Sequence, residues 1–281
     1  MWLCGQYFNA EIIDRIQAAI ESEPEISRRA LSRQVCQWLG WRSANGKLQD
    51  MSCRKALQAL DARGKITLTE LKESYAFQRS KTGIKPELSQ LVQISCGIED
   101  LGKVEIVPIT SRYSKASRQW NQLLDAYHYL GSGPLCGAQI RYLVNSEAYG
   151  CLGGLSFSAA TWRLKARDEF IGWSERARRQ NLQRVLCNSR FLIVPTVRVE
   201  NLASHVLSRC LARLIGDWQE RYGYVPVLVE TFVDAKRYMG TSYRAANWIR
   251  VGETAGRANA YANGKVSDGQ KQIYVFPLQR G

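Results

Sequence analysis

The strongest constraint on the fold lies between Arg190 and Arg257. Two apolar runs, RFLIV from Arg190 to Val194 and VPVLVETFVD from Val225 to Asp234, flank a long amphipathic stretch beginning at Asn201. Short runs rich in Val, Leu and Ile, bounded by Pro, Gly or Asn, read as buried strands. Between them Ala203, Val206, Leu207, Cys210, Leu211, Leu214 and Trp218 recur at helical spacing until Gly223 stops the pattern. Strand, helix and strand in that order form a β-α-β unit. The second run ends on Glu230, Thr231 and Asp234 where apolar residues are expected. Ligands of open α/β sheets gather at the carboxyl ends of strands, so the working site is expected there.

The flanking chain extends this unit into a larger α/β domain over residues 104–281. Val104–Val107 reads as a strand stopped by Pro108, and a helix is expected from about Ser114 to Tyr127 with Trp120, Leu123 and Leu124 on its apolar side. Ala138–Val144 and Cys151–Phe157 alternate like the arms of a hairpin. Beyond the central unit, Thr241–Asn247 reads as a short helix, Trp248–Val251 and Ile273–Phe276 as strands, and the Gly/Asn/Ala-rich Ala255–Gln270 as a mobile loop. Between Ser158 and Asn188 lies a basic helical insertion, where Arg163, Lys165, Arg167, Arg176, Arg178, Arg179 and Arg184 face only Asp168, Glu169 and Glu175. Such a surface is either simply solvated or a plate for nucleic acid, with Trp162 and Trp173 as candidate stacking residues.

The first 70 residues read as a separate module. Asn9 and Ser27 are suitable N-caps, Ile13, Ile16 and Ile20 mark one helix, and Leu31, Val35, Trp38 and Leu39 mark a second closed by Gly40. Asp50 is expected to cap a third helix that turns Cys53, Ala56, Leu57 and Leu60 inward, and Lys65–Leu68 alternates like a strand. Three short helices and a β-wing make a winged helix-turn-helix. Its third helix would present Ser52, Arg54, Lys55 and Gln58 to a major groove, with Arg28, Arg29 and Arg33 on flanking phosphates. Residues 71–103 read as a linker.

Charge points the same way. Residues 1–100 hold 14 Lys/Arg and 12 Asp/Glu, of 39 and 25 in the whole chain, so most of the net charge of +14 sits on the larger domain. An anionic partner, DNA in duplex or structured form, is expected. The eight cysteines are never closer than fifteen positions and form no CxxC pair, so they read as buried free thiols in a reducing compartment. No apolar run approaches the ~20 residues of a membrane span and no signal peptide is evident, so a cytoplasmic protein without a membrane partner is expected.

The element order β-α-β-β, basic insert, β-α-β-α-β-β resembles that of the GNAT acetyltransferase superfamily. That resemblance implies acetyl-CoA with its pyrophosphate on the loop before the long helix, here Arg198-Val199-Glu200-Asn201-Leu202-Ala203. Asn201 stands in place of the first glycine and Glu200 precedes it, so acetyl-CoA is not expected as the cofactor. A more specific resemblance rests on YHYLG, RFLIV, NLAS, ETFVD and GTSYRAANW followed by VGETAGR, together with WLCG, SRRALSRQVC and DMSCRKAL. These are similar to the family of the Druantia anti-phage defence protein DruA, whose members also occur in mobile elements. The resemblance implies phage defence or mobile DNA, with defence-system or transposition proteins as partners.

Chemistry must come from the residues themselves. Glu230 and Asp234, four apart at a strand end, would share one pocket, where neighbouring carboxylates raise one another's pKa or hold Mg²⁺, with Asp168 as a third. His128 is a candidate acid/base, and Tyr243 a candidate catalytic or stacking residue beside Trp248. Tyr127, Arg141, Asn188, Arg190, Asn247, Thr254 and Arg257 gather at predicted strand ends and turns; an Arg190–Glu230 charge pair is the structural alternative. Three functions stay open. The chain is a DNA-binding enzyme that cleaves or modifies nucleic acid, a non-catalytic DNA recogniser for partner enzymes, or an acyltransferase.

Overall fold

A computed structural model describes residues 1–43, 46–69, 93–254 and 269–279. The chain divides into two compact units, Met1–Arg79 and Ser80–Gly281.

In the smaller unit a minimal hairpin, β1 (Trp2–Leu3) with β2 (Gln6–Tyr7), precedes α1 (Ala10–Ser22), α2 (Arg28–Trp38) and α3 (Asp50–Asp61). The Asn9 and Ser27 side chains accept from the Ile12 and Ala30 amides, as their positions predict. For α3 the cap is Gln49, without a side-chain bond, and Asp50 is the first helical residue. Ile16, Ile20, Leu31, Val35, Cys53, Ala56, Leu57 and Leu60 form the core with Phe8 and Trp41. Residues 65–69 form no strand: Ile66 and Leu68 bury themselves from an irregular segment, so the alternation reports burial and not a β-wing ladder.

In the larger unit β3 (Ile94–Cys96) comes first, within the stretch expected to be a linker. A 3₁₀ turn at Glu99–Leu101 follows, and Leu101 is fully buried in the main core. Then come β4 (Val104–Pro108), α4 (Lys115–Tyr127), β5 (Gln139–Ser146) and β6 (Gly150–Ala159). The insertion folds as α5 (Lys165–Ile171) and α6 (Glu175–Asn181), ahead of β7 (Val185–Ile193). After β8 (Val197–Val199), which pairs in parallel with β3, run α7 (Leu202–Tyr222), β9 (Leu228–Asp234), α8 (Thr241–Ala245), β10 (Ile249–Glu253) and β11 (Lys271–Pro277). Apart from β3 and β8, which were not expected, this is the element order read from the sequence.

Seven of the described strands form one mixed sheet in the order β10-β11-β9-β7-β6-β5-β4, with β7–β9 parallel and the other pairs antiparallel. Alternation gives the sheet two apolar faces. One packs on α7 through Val206, Leu207, Cys210, Leu214 and Trp218. The other takes α4 through Trp120 and Leu124, and the insertion through Leu182 and Trp173. Gly154 is required where α4 lies on β6, because a Cβ there would come within 2.8 Å of the Trp120 ring. Trp120 also donates its indole N–H to the Leu155 carbonyl at 3.1 Å.

Candidate functional site

The site begins with a defect in the sheet. β7 and β9 pair in parallel only from Val185↔Leu228 to Asn188↔Thr231. At that point β7 carries a bulge against β6: Ser156 faces Arg190 and Phe157 faces Asn188, so Ser189 has no partner across the ladder. A bulge bends its strand, and here it turns β7 away from β9. Asn188 pins the parting. Its Nδ2 donates to the Ser156 and Arg190 carbonyls, both at 3.1 Å, and its Oδ1 accepts from the Tyr243 hydroxyl at 2.8 Å. Thr231 Oγ1 donates to the Asn188 carbonyl at 3.1 Å, which satisfies a backbone group released where the ladder ends. Tyr243 is half-buried as a residue, but its phenol end is enclosed, and that burial pushes its pKa up.

Beyond this parting lies a cleft of about 2110 Å³. β7 contributes Ser189–Ile193, β9 contributes Thr231–Asp234, and the first turn of α7 contributes Ala203. The end of α4 and the loop after it bring Tyr127, His128 and Tyr129, the loop after β9 brings Arg237, Tyr238 and Met239, and the start of the insertion brings Arg163 and Lys165. Arg163, Lys165, Arg190, Arg237 and Lys271 face only Asp234 and Glu253 among the described lining residues. Gly240 closes the floor at φ +69, where a Cβ would meet the Tyr274 hydroxyl at 2.5 Å.

Arg190 builds the wall and does not pair with Glu230. Its guanidinium donates to the carbonyls of Gly131 at 2.7 Å, Gly133 at 3.1 Å and Ser189 at 2.7 Å, which ties the loop after α4 to β7. His128 caps α4 and lines the cleft, and its Nδ1 accepts from the Leu130 amide at 3.2 Å. Burial, with Arg190 nearby, lowers its pKa to about 4, so the imidazole is neutral near pH 7.

The two carboxylates expected to share one pocket are not brought together. Alternation does put Glu230 and Asp234 on the same face of β9, but α5 lies over Glu230 and seals it. Glu230 is fully buried, accepts from the Thr161 amide at 2.8 Å and takes Arg167 Nη1 at 2.7 Å. Arg167 is equally buried and bonds Asp168 through Nε at 2.9 Å and the Thr161 carbonyl at 2.8 Å. Asp168 then reaches Arg178 at 3.5 Å, and Glu175 receives Arg178, Arg163 and Arg179. Burial pushes the Glu230 carboxyl up in pKa, opposed by the Arg167 charge. Both Glu230 oxygens are committed, Asp168 is held by arginines, and no group of three His, Cys, Asp or Glu suited to a metal occurs among the described residues. The expected Mg²⁺ set of Glu230, Asp234 and Asp168 therefore does not fit.

Other placements also differ from expectation. Trp248 is a core residue, edge-on to Tyr243 with centroids 5.1 Å apart, so no base enters between them. Arg141 lies outside the cleft with its guanidinium 5.3 Å from the Trp120 ring. Asn247 is an exposed turn residue at φ +62. Thr254 lines the cleft and accepts from the Lys271 amide at 2.9 Å, whereas Arg257 and the Ala255–Gln270 loop up to residue 268 lie outside the described residues. Within the insertion, Arg167 and Arg178 are buried, Arg179 is held by Glu175, Arg184 bonds the Val225 carbonyl at 3.3 Å, and Arg163 and Arg176 are exposed. Trp173 packs into a core cluster, whereas Trp162 remains 41% exposed.

In the smaller unit Lys55 and Gln58 are exposed on α3. Ser52 donates to Gln49 at 3.2 Å and Arg54 pairs with Asp50 at 3.6 Å. Arg28 holds the Thr69 carbonyl at 3.0 Å, leaving Arg29 and Arg33 as the exposed bases of α2. Tyr129, Arg237, Tyr238 and Lys271 were not singled out from the sequence. The available signal was a cation or aromatic immediately after a helix or strand end, in YHYLG and DAKRYMG.

Solved structures with a similar fold include a spermidine N-acetyltransferase from Vibrio cholerae in complex with CoA and spermine. It has a TM-score of 0.35 and 10% identity over 50% of this chain and 66% of that one, just under two thirds of its length. A chimera of the Vibrio cholerae enzyme and hSSAT gives a TM-score of 0.41 and 11% identity over 63% of this chain and 96% of that one. Among curated proteins none matches the sequence. The family model of the Druantia protein DruA matches residues 60–267, which include the cleft residues from Tyr127 to Thr254, and the chain belongs to that family.

Proposed function

We propose that the protein is a nucleic-acid-binding component of antiviral defence, acting in the cytoplasm, with the cleft beside β9 receiving the nucleotide chain. The observation that carries this reading is the lining itself, in which, besides the wall residue Arg190, four cations face two carboxylates amid tyrosines and phenylalanines. Cations attract the phosphodiester and aromatic faces hold bases, a combination suited to a polyanion and poorly suited to a neutral metabolite. Family membership supplies the defence setting. Metal-dependent hydrolysis through Glu230 and Asp234 is not part of the proposal, because Glu230 is locked to Arg167.

The smaller unit is assigned the duplex, as a helix-turn-helix whose α3 presents Ser52, Arg54, Lys55 and Gln58, with Arg28 and Arg29 nearby on α2. Partner enzymes of a defence system or a transposition machinery would act on the DNA so held.

The test is fluorescence anisotropy of the full chain with labelled 30-mers, single-stranded and duplex, across a KCl titration. The triple variant Arg163→Ala/Lys165→Ala/Arg237→Ala is expected to bind single strands at least tenfold more weakly, with a log–log salt slope reduced by roughly two. An unchanged slope would remove the cleft from nucleic-acid binding.

A second reading, acyl transfer, is favoured by one observation. Asn201 holds φ +58, the left-handed conformation that glycine would supply at the start of α7, and Ala203 of that first turn lines the cleft. Asn tolerates this conformation better than most residues, so the missing glycine is a weaker objection than the sequence suggested. An acyl-CoA diphosphate would meet the α7 amides there. Calorimetric titration with acetyl-CoA checks it: saturable heat lost in Ala203→Glu supports the reading, and no heat ends it.

A further inference from the structure

We infer that the mouth of the cleft is a stacking platform for unpaired bases, built by Tyr129 from the loop after α4 and Tyr238 from the loop after β9. This inference rests on the nucleic-acid reading above and narrows it to single-stranded chain. The two rings approach with centroids 6.4 Å apart and planes inclined by 46°. His128 stacks on Tyr129 at 5.0 Å and 20°, and the Arg237 guanidinium lies 5.0 Å from the Tyr129 ring centre. Two loops far apart in sequence thus make one continuous aromatic and cationic surface, and every member of it lines the cleft.

Tyr129 is half-buried beside His128 and Arg237, and the Tyr238 side of the surface is left open to solvent. Tyr238 is 54% exposed and the adjoining Met239 75% exposed, although large apolar groups are normally withdrawn from water where packing allows. Leu130, 40% exposed, continues the same rim beside Tyr129. An exposed apolar patch beside the Arg237 guanidinium, in a cleft with further cations in its lining, calls for an occupant that is flat and apolar on its faces and anionic along its length. An unpaired nucleotide chain meets both conditions. A duplex does not, because its base faces are covered by their neighbours, and an acidic peptide supplies charge without flat faces.

The bulge at Ser189 and the bonds of Arg190 to Gly131 and Gly133 hold the Tyr129 loop against β7. Asp234 fixes the other loop, accepting from the Lys236 amide at 3.1 Å and pairing with Arg237 at 3.3 Å. The platform is therefore set before a ligand arrives, which lowers the ordering cost of binding.

The test measures full-chain binding of fluorescein-labelled oligo(dT)20 and of a 20-base-pair duplex. Tyr238→Ala is expected to weaken oligo(dT) binding roughly tenfold, and Tyr129→Ala/Tyr238→Ala roughly a hundredfold, with duplex binding changed less than twofold. Tyr238→Trp should restore affinity, which separates stacking from a general loss of fold. If oligo(dT) binding weakens in Arg163→Ala/Lys165→Ala/Arg237→Ala but not in the tyrosine variants, the platform is overturned while the cleft remains the nucleic-acid site. If neither set of variants matters, the cleft reading itself falls. Competition by poly-glutamate as effective as by unlabelled oligo(dT) would also overturn stacking, since it needs charge alone.

Discussion

Two carboxylate–arginine pairs on one face of β9, four residues apart, have opposite characters. At Glu230 both side chains are wholly buried, with side-chain exposures of 0% and 0%; at Asp234 they are 11% and 57%. The first pair sits under α5 with both carboxylate oxygens occupied by Arg167 and the Thr161 amide. The second sits at the open cleft, where Arg237 remains in contact with water and with the Tyr129 ring. Identical chemistry thus fastens the insertion to the sheet at one end of the strand and leaves an exposed cation beside the cleft at the other. Burial sets the role, because a charge removed from water must be fully satisfied within the protein, whereas a charge left in water stays available to a ligand.

The comparison breaks most sharply at Arg167. Arg167→Ala strands the Glu230 carboxylate in a dry site and is expected to cost about 3–5 kcal/mol in urea denaturation, a large share of a domain's stability. Arg167→Met/Glu230→Gln should recover much of that loss. A Glu230→Gln variant that kept full stability but lost nucleic-acid binding would reverse the assignment made for this end of the strand.

On the open side the largest effect expected is one of pH. The unfolded chain protonates His128 near pH 6.5, whereas the folded chain holds its pKa at about 4. Between those values the unfolded state binds more protons, so stability is full above pH 6.5 and falls as the pH drops towards 4. The loss is about 2 kcal/mol once partial solvation of the ring is allowed for. Denaturation curves at pH 7 and pH 4.5 should differ less in His128→Gln than in the parent chain, and an equal difference would show that His128 is not the group responsible.

Smaller still is the change expected at Asn201. Asn201→Ala forces a Cβ-bearing residue without a local polar partner into left-handed φ and should cost about 1 kcal/mol, while Asn201→Gly should be close to neutral. Equal thermal shifts in both variants would mean that the side chain, not the backbone conformation, is what matters at the start of α7. Smallest in stability is Arg237→Ala, within about 0.5 kcal/mol, although it should remove about one unit from the salt dependence of binding. A large stability loss there would erase the contrast with Arg167.

Much of the fold was legible because it follows from periodicity. The stripe on α7, the inward face of α3, the hairpin of β5 and β6 and the caps at Asn9 and Ser27 are local patterns, and local patterns survive without knowledge of neighbours. The strand expected at Lys65–Leu68 shows the limit, since alternation marks burial whether or not a ladder partner exists. The site was legible only in position. A cleft does open at the carboxyl end of β9, and His128, Asn188, Arg190, Tyr243 and Thr254 line it or make the bonds that shape it. Their roles were not legible, because Trp248 and Glu230 read as pocket residues by type and lie in the interior by packing.

The sequence alone determined the order of the main strands and helices of the larger unit, the excess of positive charge there and the polar, acidic end of β9. These follow from the spacing of apolar residues and from composition, quantities additive along a chain. Tertiary structure decided which charges were consumed internally and which were left exposed to solvent. It joined Arg167 to Glu230 across 63 positions and brought Tyr129 to Tyr238 across more than a hundred. The physical reason is that desolvation and pairing depend on what lies within a few ångströms in space, and a bulge at one residue, Ser189, is enough to change that neighbourhood.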